Sequence, residues 1–488
     1  MQPGPEVDAG VRGDRVHLFA IEAAGFLVWA LACSLLFTVS LWMVAHDWEH
    51  GRMRSGLIAA CGVLVFALRW PWRPLRSFRS RILIGIATIV AAFALWTDAR
   101  IGLQSVKLGQ ETGVIRLDQG QNLLRSAQLL ARGENPYGRG SLVDLEAYNT
   151  RLRLRAELGM VPEMHPYALR DALARYGREP EKALRDQLLP EPRPGAAPET
   201  QAAEEREYSL LGHKYGPLPL FVELPFVKLG PKSIPMLQLA AFLGWIAALS
   251  WLLLAPALRL QKAAVPLVLA LILLEPHVAQ DYLYNSASDA WVLGFCALAL
   301  GAQLRSMRTL AGIAIALALG CKLFPAALFV PLLFVRPMRR ALLACGAVLA
   351  LLYLPFLLWD GRGLWLNLVA WPSLMAPDNT GWLAYAPQAA PLARTGLMLL
   401  IAALSALNLF GLRLRLSPPR LRFVPVDPAR LAAHFTLVSA CALLAGSALH
   451  NNYVPWVTSW GLIAIALAFA SPPLRLEPAA PGRVPADT

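Results

Sequence analysis

The chain has 488 residues, of which 56% are hydrophobic and only 16% charged, a balance that excludes a protein whose whole surface faces water. Its formal charge is +13, yet the arginines cluster in short connectors between apolar runs, which points to membrane topology rather than to nucleic-acid binding. All six cysteines lie in apolar stretches, so neither a disulfide framework nor zinc-ligand spacing is expected.

An all-α polytopic membrane protein follows, because a helix satisfies its own backbone in lipid. At roughly 20 residues per crossing the apolar runs allow about 11–13 transmembrane helices. Residues 1–81 hold an extra helical pair and a basic connector. The first apolar run, Leu18 to Val44, is too long for a signal-peptide core and has no small-residue cleavage site, so it reads as an uncleaved anchor with a cytoplasmic N-terminus. The connector Arg69 to Arg81 marks the inner side. The first core span is then 82–97, ending outside, and 98–233 is a large first outer loop. Within it, Leu189 to Glu205 is rich in Pro, Ala and Glu and cannot pack a core. Tyr215 to Leu229 carries three prolines, is short for a crossing, and is expected to be a helix lying on the outer surface.

Residues 234–470 form the transmembrane core and 471–488 a cytoplasmic tail. With no crossing before 234, four later basic clusters all fall inside: Arg259 with Lys262, Arg305 with Arg308, Arg336 to Arg340, and Arg413 to Arg430. Only about 27 residues separate Arg308 from Arg336, too few for two full spans of roughly 20. A short helical hairpin resolves this, with its tip at Cys321-Lys322-Leu323-Phe324-Pro325. A lysine there marks function unless it merely snorkels to an interface. Trp70, Trp72, Trp96, Trp371, Trp456 and Trp460 read as an interfacial belt rather than as parts of a site.

The remaining polar residues gather on the outer side. Asp118, read alone, is a helix cap or a solvated carboxylate, and Asn135-Pro136-Tyr137 is a turn signal. Their order along the chain says more. An aspartate follows an outward-ending span; Gly133-Glu134-Asn135-Pro136-Tyr137 comes next, Tyr215-Gly216-Pro217-Leu218 closes the loop, and Lys322-Leu323-Phe324-Pro325 follows. From about residue 82 to 470 this ordered set resembles glycosyltransferase family 87, the polyprenyl-phosphate mannosyltransferases of the GT-C superfamily. The resemblance implies a GT-C fold with a site at the outer membrane face that takes its sugar from a lipid carrier. Asp118 falls at the family's catalytic aspartate, Lys322 and Pro325 match its Lys-x-x-Pro turn, and His450 stands in its late outer motif. The sequence departs from the family where Gln119 and Gln121 replace an expected aromatic residue, and in its added N-terminal pair.

The chemistry agrees with that implication. Transfer from a phosphate-linked sugar needs a base for the acceptor hydroxyl and cations for the departing phosphate, and one carboxylate suffices because phosphate leaves unprotonated. Asp118 is the expected base of an inverting reaction. Lys322, His450, Arg362 and Arg394 are the candidate phosphate ligands, although both arginines read equally as interfacial anchors. Asn135, Tyr137, Tyr215, Asn285, Asp289 and Asn379 are candidates for substrate binding, with helix capping the alternative for Asp289. No metal or other cofactor is expected. The expected partners are a polyprenyl-phosphate sugar donor, a lipid or glycan acceptor and membrane lipids, in a multi-pass inner (plasma) membrane protein whose site faces the periplasm or exterior. The rival readings are a lipid-linked sugar flippase or transporter, against which no inverted repeat of broken helices stands out, and a non-catalytic scaffold.

Overall fold

The computed structural model describes residues 76–112, 118–142, 144–146, 149, 212–258, 264–275, 277–284, 288–329, 339–375, 428–445 and 453–470, with isolated positions between 392 and 403. Every element among them is helical. In chain order these are α1 (Arg76–Thr112), α2 (Asp118–Ala131), α3 (Leu218–Glu223), α4 (Ser233–Leu253), α5 (Ala264–Leu273), α6 (Asp289–Leu304), α7 (Arg308–Cys321), α8 (Ala326–Phe329), α9 (Arg339–Trp365), α10 (Trp371–Leu374), α11 (Pro428–Ala445) and α12 (Val454–Ala470). A 3₁₀ stretch, Leu224–Lys232, joins α3 to α4, and a π-helical segment, Val278–Tyr284, precedes α6.

Among the described residues three helical stretches are long and apolar enough to cross a membrane: Gly85–Glu111, Leu218–Leu253 and Arg339–Leu374. The bent pair Val278–Tyr284 and Asp289–Leu304 makes a fourth if taken as one span. The helices α7, α11 and α12 are apolar but shorter. Residues 1–75, where the extra N-terminal pair is expected, and 471–488 lie outside the described residues.

Two sequence expectations are corrected. The helix of the first core span does not stop at residue 97: α1 runs unbroken to Thr112, and Asp98, taken as the start of the polar loop, is buried within it. α1 packs against α4 and α5, and a polar residue covered by neighbouring helices need not end a helix. The segment Tyr215 to Leu229 is not one surface helix. Pro217 starts the short α3, the chain then tightens into 3₁₀ geometry, and Gly230 takes φ +65° before α4 begins. Leu218 and Leu220 of α3 are buried, so the start of the segment packs inward, whereas no residue of the 3₁₀ stretch is buried.

Of the expected hairpin, the first helix, the turn and four residues of the second are described; residues 330–338 lie outside the described residues. Helix α7 ends at Cys321, Lys322 is extended (φ −147°, ψ 144°), and α8 follows after the turn. Close packing holds α7 to α9, where a side chain on Gly312 would overlap the backbone carbonyl of Ala341. Small residues permit such approach between helices in lipid, where dispersion and not the hydrophobic effect joins them.

The main core lies between α4, α6, α7, α11 and α12, around Phe242, Trp245, Tyr282, Phe435, Trp456 and Trp460. Of the supposed interfacial tryptophans only Trp96 is exposed among those described, at 58%, whereas Trp371, Trp456 and Trp460 are buried. The ring's large apolar area outweighs its interfacial preference wherever helices converge. A smaller cluster of Leu123, Leu124, Ala127, Tyr137, Leu220, Ile234 and Phe356 fastens α2 to α3 and α9. The 123, 124, 127 spacing puts those three on one face of α2.

Candidate functional site

The site is built where three segments far apart in sequence meet. The first is α2 with the turn behind it. Gly133, at φ +76°, closes α2 in a Schellman arrangement: Gly133 N–H donates to Leu130 O and Glu134 N–H to Leu129 O, each at 3.0 Å. The chain then turns through Asn135-Pro136-Tyr137. Asn135 Oδ1 accepts from Tyr137 N–H at 3.0 Å, and Gly138 N–H donates to Asn135 O at 3.1 Å. Asn135 therefore serves the turn, as its alternative reading held. Tyr137 is fully buried and donates its hydroxyl to Tyr215 O at 2.8 Å, which makes it a fastener between segments.

The second segment is 212–217. His213 N–H donates to Pro136 O at 2.9 Å. Its ring lies between two acceptors, Asn122 Oδ1 at 3.1 Å from Nδ1 and Gly216 O at 3.3 Å from Nε2, and a neutral imidazole donates to one of them. Burial pushes this imidazole down to about 3, against the smaller upward pull of the Gly216 carbonyl. Gly216 then docks on the third segment, the Lys322 turn. Its N–H donates to Cys321 O at 2.8 Å, and any Cβ on Gly216 would overlap the Gly320 carbonyl.

Lys322 sits at this junction. Its Nζ donates to Asp289 Oδ1 at 2.7 Å and lies 5.5 Å from the Tyr215 ring centre and 5.2 Å from that of Tyr453. Asp289 Oδ1 also accepts from Trp456 Nε1 at 3.1 Å. The carboxylate side chain is 0% exposed and the lysine side chain 9%. The anion that offsets the desolvation of Lys322 is thus supplied by the chain itself, at the first residue of α6, a pairing that spacing along the sequence does not reveal. Next to it, Ser288 donates both its N–H and its hydroxyl to Gln119 Oε1, each at 3.3 Å. Gln119, Leu123, Tyr215, Pro219, Gln238 and Ser288 meet around a narrow cleft too tight to hold a water molecule.

Asp118 is the first residue of α2, directly before Gln119, so its backbone stands at the edge of this cluster; its side chain lies outside the described ones. Asn285, Asn379, Arg394 and His450 also lie outside the described residues. Arg362 is exposed on α9 and takes no part in the contacts around Lys322. Among the described residues no group of three His, Cys, Asp or Glu side chains comes close enough to hold a metal ion.

Several members escaped the sequence reading. Trp456 carries a ligand of Asp289, Asn122 holds His213, and Gln119 and Gln238 line the cleft. Asn367, fully buried in the π-helical stretch Leu366–Ala370 that follows α9, donates Nδ2–H to both Tyr137 O and Arg139 O at 3.0 Å, so this stretch clamps the 135–140 turn. Gln238 and Asn367 offered only the signal of a lone amide in an apolar run, and Gln119 and Asn122 stand in the polar run that opens α2.

No protein-family model, curated protein or solved structure matches this chain.

Proposed function

We propose that the chain is a membrane glycosyltransferase of GT-C type that moves a sugar, mannose in the first instance, from a polyprenyl-phosphate donor to a lipid or glycan acceptor at the outer membrane face. What supports this reading is that the ordered motifs, 118–137, 215–218 and 322–325, remote in sequence, meet at one buried charged junction. In the proposed reaction the acceptor hydroxyl oxygen attacks the anomeric carbon. The bond from that carbon to the phosphate oxygen breaks, the hydroxyl proton passes to the Asp118 carboxylate, and polyprenyl phosphate leaves with its charge met by Lys322 and His450.

The test is transfer of labelled mannose from polyprenyl-phosphate mannose to a membrane lipid extract by the purified protein in nanodiscs. Transfer is expected, and it persists in chelator because the reaction as written uses no metal. Asp118→Asn lowers it by roughly 10²–10⁴, the share a general base supplies. A protein that moves the donor between leaflets without transfer would instead be a flippase, and an unimpaired Asp118→Asn would remove the base.

A further inference from the structure

The elbow between α3 and α4 closes on a carboxyl group that has too few donors around it to be an anion. Glu223, the last residue of α3, has no exposed surface. Its Oε1 is hydrogen-bonded to the Ser233 hydroxyl at the start of α4, and its Oε2 has no partner among the described residues. The same hydroxyl lies 2.7 Å from Gly230 O. Ser233 Oγ is thus linked to two oxygens, yet it carries one hydrogen. A carbonyl has none to give, so both links hold a hydrogen only if Glu223 supplies the second. One hydrogen shared between the two acceptors would leave an anion with half a hydrogen bond in a place water does not reach. No counter-ion offsets such a charge. α3 packs against α2, α4, α7 and the 3₁₀ stretch, and of the cations on those elements, Arg125, Arg308, Lys228 and Lys232, none pairs with Glu223 or acts on it. The remaining charge, Asp118, is itself an acid. The elbow also stands clear of the hydrocarbon, because the 21 residues of α4 alone span about 30 Å.

We infer that Glu223 is held as a neutral carboxylic acid that donates to Ser233 Oγ, which in turn donates to Gly230 O, and that this proton is a pH-sensitive latch on the elbow. What the latch holds is the floor of the site. Leu220 of α3 packs with Leu123, Leu124 and Tyr137, and Leu218 lies against Gly320, beside the Lys322 turn. Removal of the proton leaves a carboxylate with no cation, and a buried charge without a partner must find water. The 3₁₀ stretch Leu224–Lys232, none of whose residues is buried, is the part that can swing aside to admit it. The elbow is therefore closed when Glu223 is protonated and loosened when it is ionised. Glu223 touches no reacting atom; it is a positioning residue, and its role stands on the fold and not on the glycosyltransferase reading.

The experiment uses the full chain in nanodiscs. The infrared spectrum of wild type minus that of Glu223→Gln at neutral pH should contain the carbonyl stretch of a protonated carboxylic acid, and that band should shift in heavy water. Thermal midpoints at pH 5 and pH 8 are then read as variant minus wild type, so that titrations elsewhere cancel. An unfolded glutamate ionises above about pH 4.3 while the latched one keeps its proton, so wild type loses stability as pH rises through that window. Glu223→Gln offers Ser233 Oγ an amide N–H in place of the carboxyl hydrogen and has no proton to give up. Its midpoint relative to wild type should therefore rise between pH 5 and pH 8. Ser233→Ala strands the carboxyl hydrogen and should lower the midpoint at both. If the acid carbonyl band is missing, or if Glu223→Gln falls relative to wild type as pH rises, Glu223 is an anion held by a cation and the inference fails. A band without any pH-dependent gain would show a proton that latches nothing and would overturn the switch.

Discussion

Lys322→Met keeps the length of the side chain and deletes its charge. Asp289, with no exposed surface, then remains a carboxylate facing neutral donors such as the Trp456 indole. Stranding one partner of a buried pair costs on the order of 3–5 kcal/mol, a large part of the 5–15 kcal/mol that typically separates folded from unfolded states. Replacing both partners, Lys322→Met with Asp289→Leu, removes the stranded charge and is expected to recover most of that loss. The assay is the thermal midpoint in detergent for the two single variants and the double, read as a double-mutant cycle, with donor affinity measured on the same samples. The single variants unfold earlier, the double unfolds near wild type, and the two variants that carry Lys322→Met bind polyprenyl-phosphate mannose weakly because the proposed phosphate cation is gone. Lys322→Arg keeps charge but not shape and retains part of the binding. Singles as stable as wild type would refute the buried pair. A stable double that binds and transfers normally would confine Lys322 to structure.

His213 gives the fold an acid sensitivity. Its unfolded ring takes a proton below about pH 6.5 whereas the folded ring stays neutral down to about 3, so the unfolded state gains protons as pH falls through that window and stability declines there. His213→Asn should flatten the fall in thermal midpoint between pH 6.5 and 4; an unchanged slope would assign the sensitivity elsewhere. Gly216→Ala forces a methyl into the Gly320 carbonyl and should separate the 212–217 segment from the Lys322 turn, lowering both midpoint and transfer, while Gly346→Ala, with open space around it, should do neither. Cysteines introduced at Ala197 and Pro418 should label from outside and not from outside, respectively, with an impermeant reagent; the reverse pattern would invert the topology.

Composition and apolar run length were enough to determine a helical membrane protein, since lipid leaves the backbone few other ways to satisfy itself. The stop at Cys321 and the turn at Asn135-Pro136-Tyr137 were also legible, because proline and asparagine act on their own few residues. Span ends were not. Asp98 resembles a helix exit, yet burial under neighbouring helices carries α1 past it. Nor can local sequence tell an interfacial tryptophan from a buried one: Trp456 and Trp96 have equal hydropathy, and only the packing of α12 against α11 and the Lys322 turn takes the first inside. The charged junction is the extreme case. Asp289 and Lys322 each looked like a residue waiting for a ligand because their partner stands 33 positions away, and a pair of that separation is chosen by tertiary structure, through the cost of leaving either charge alone in a low-dielectric interior.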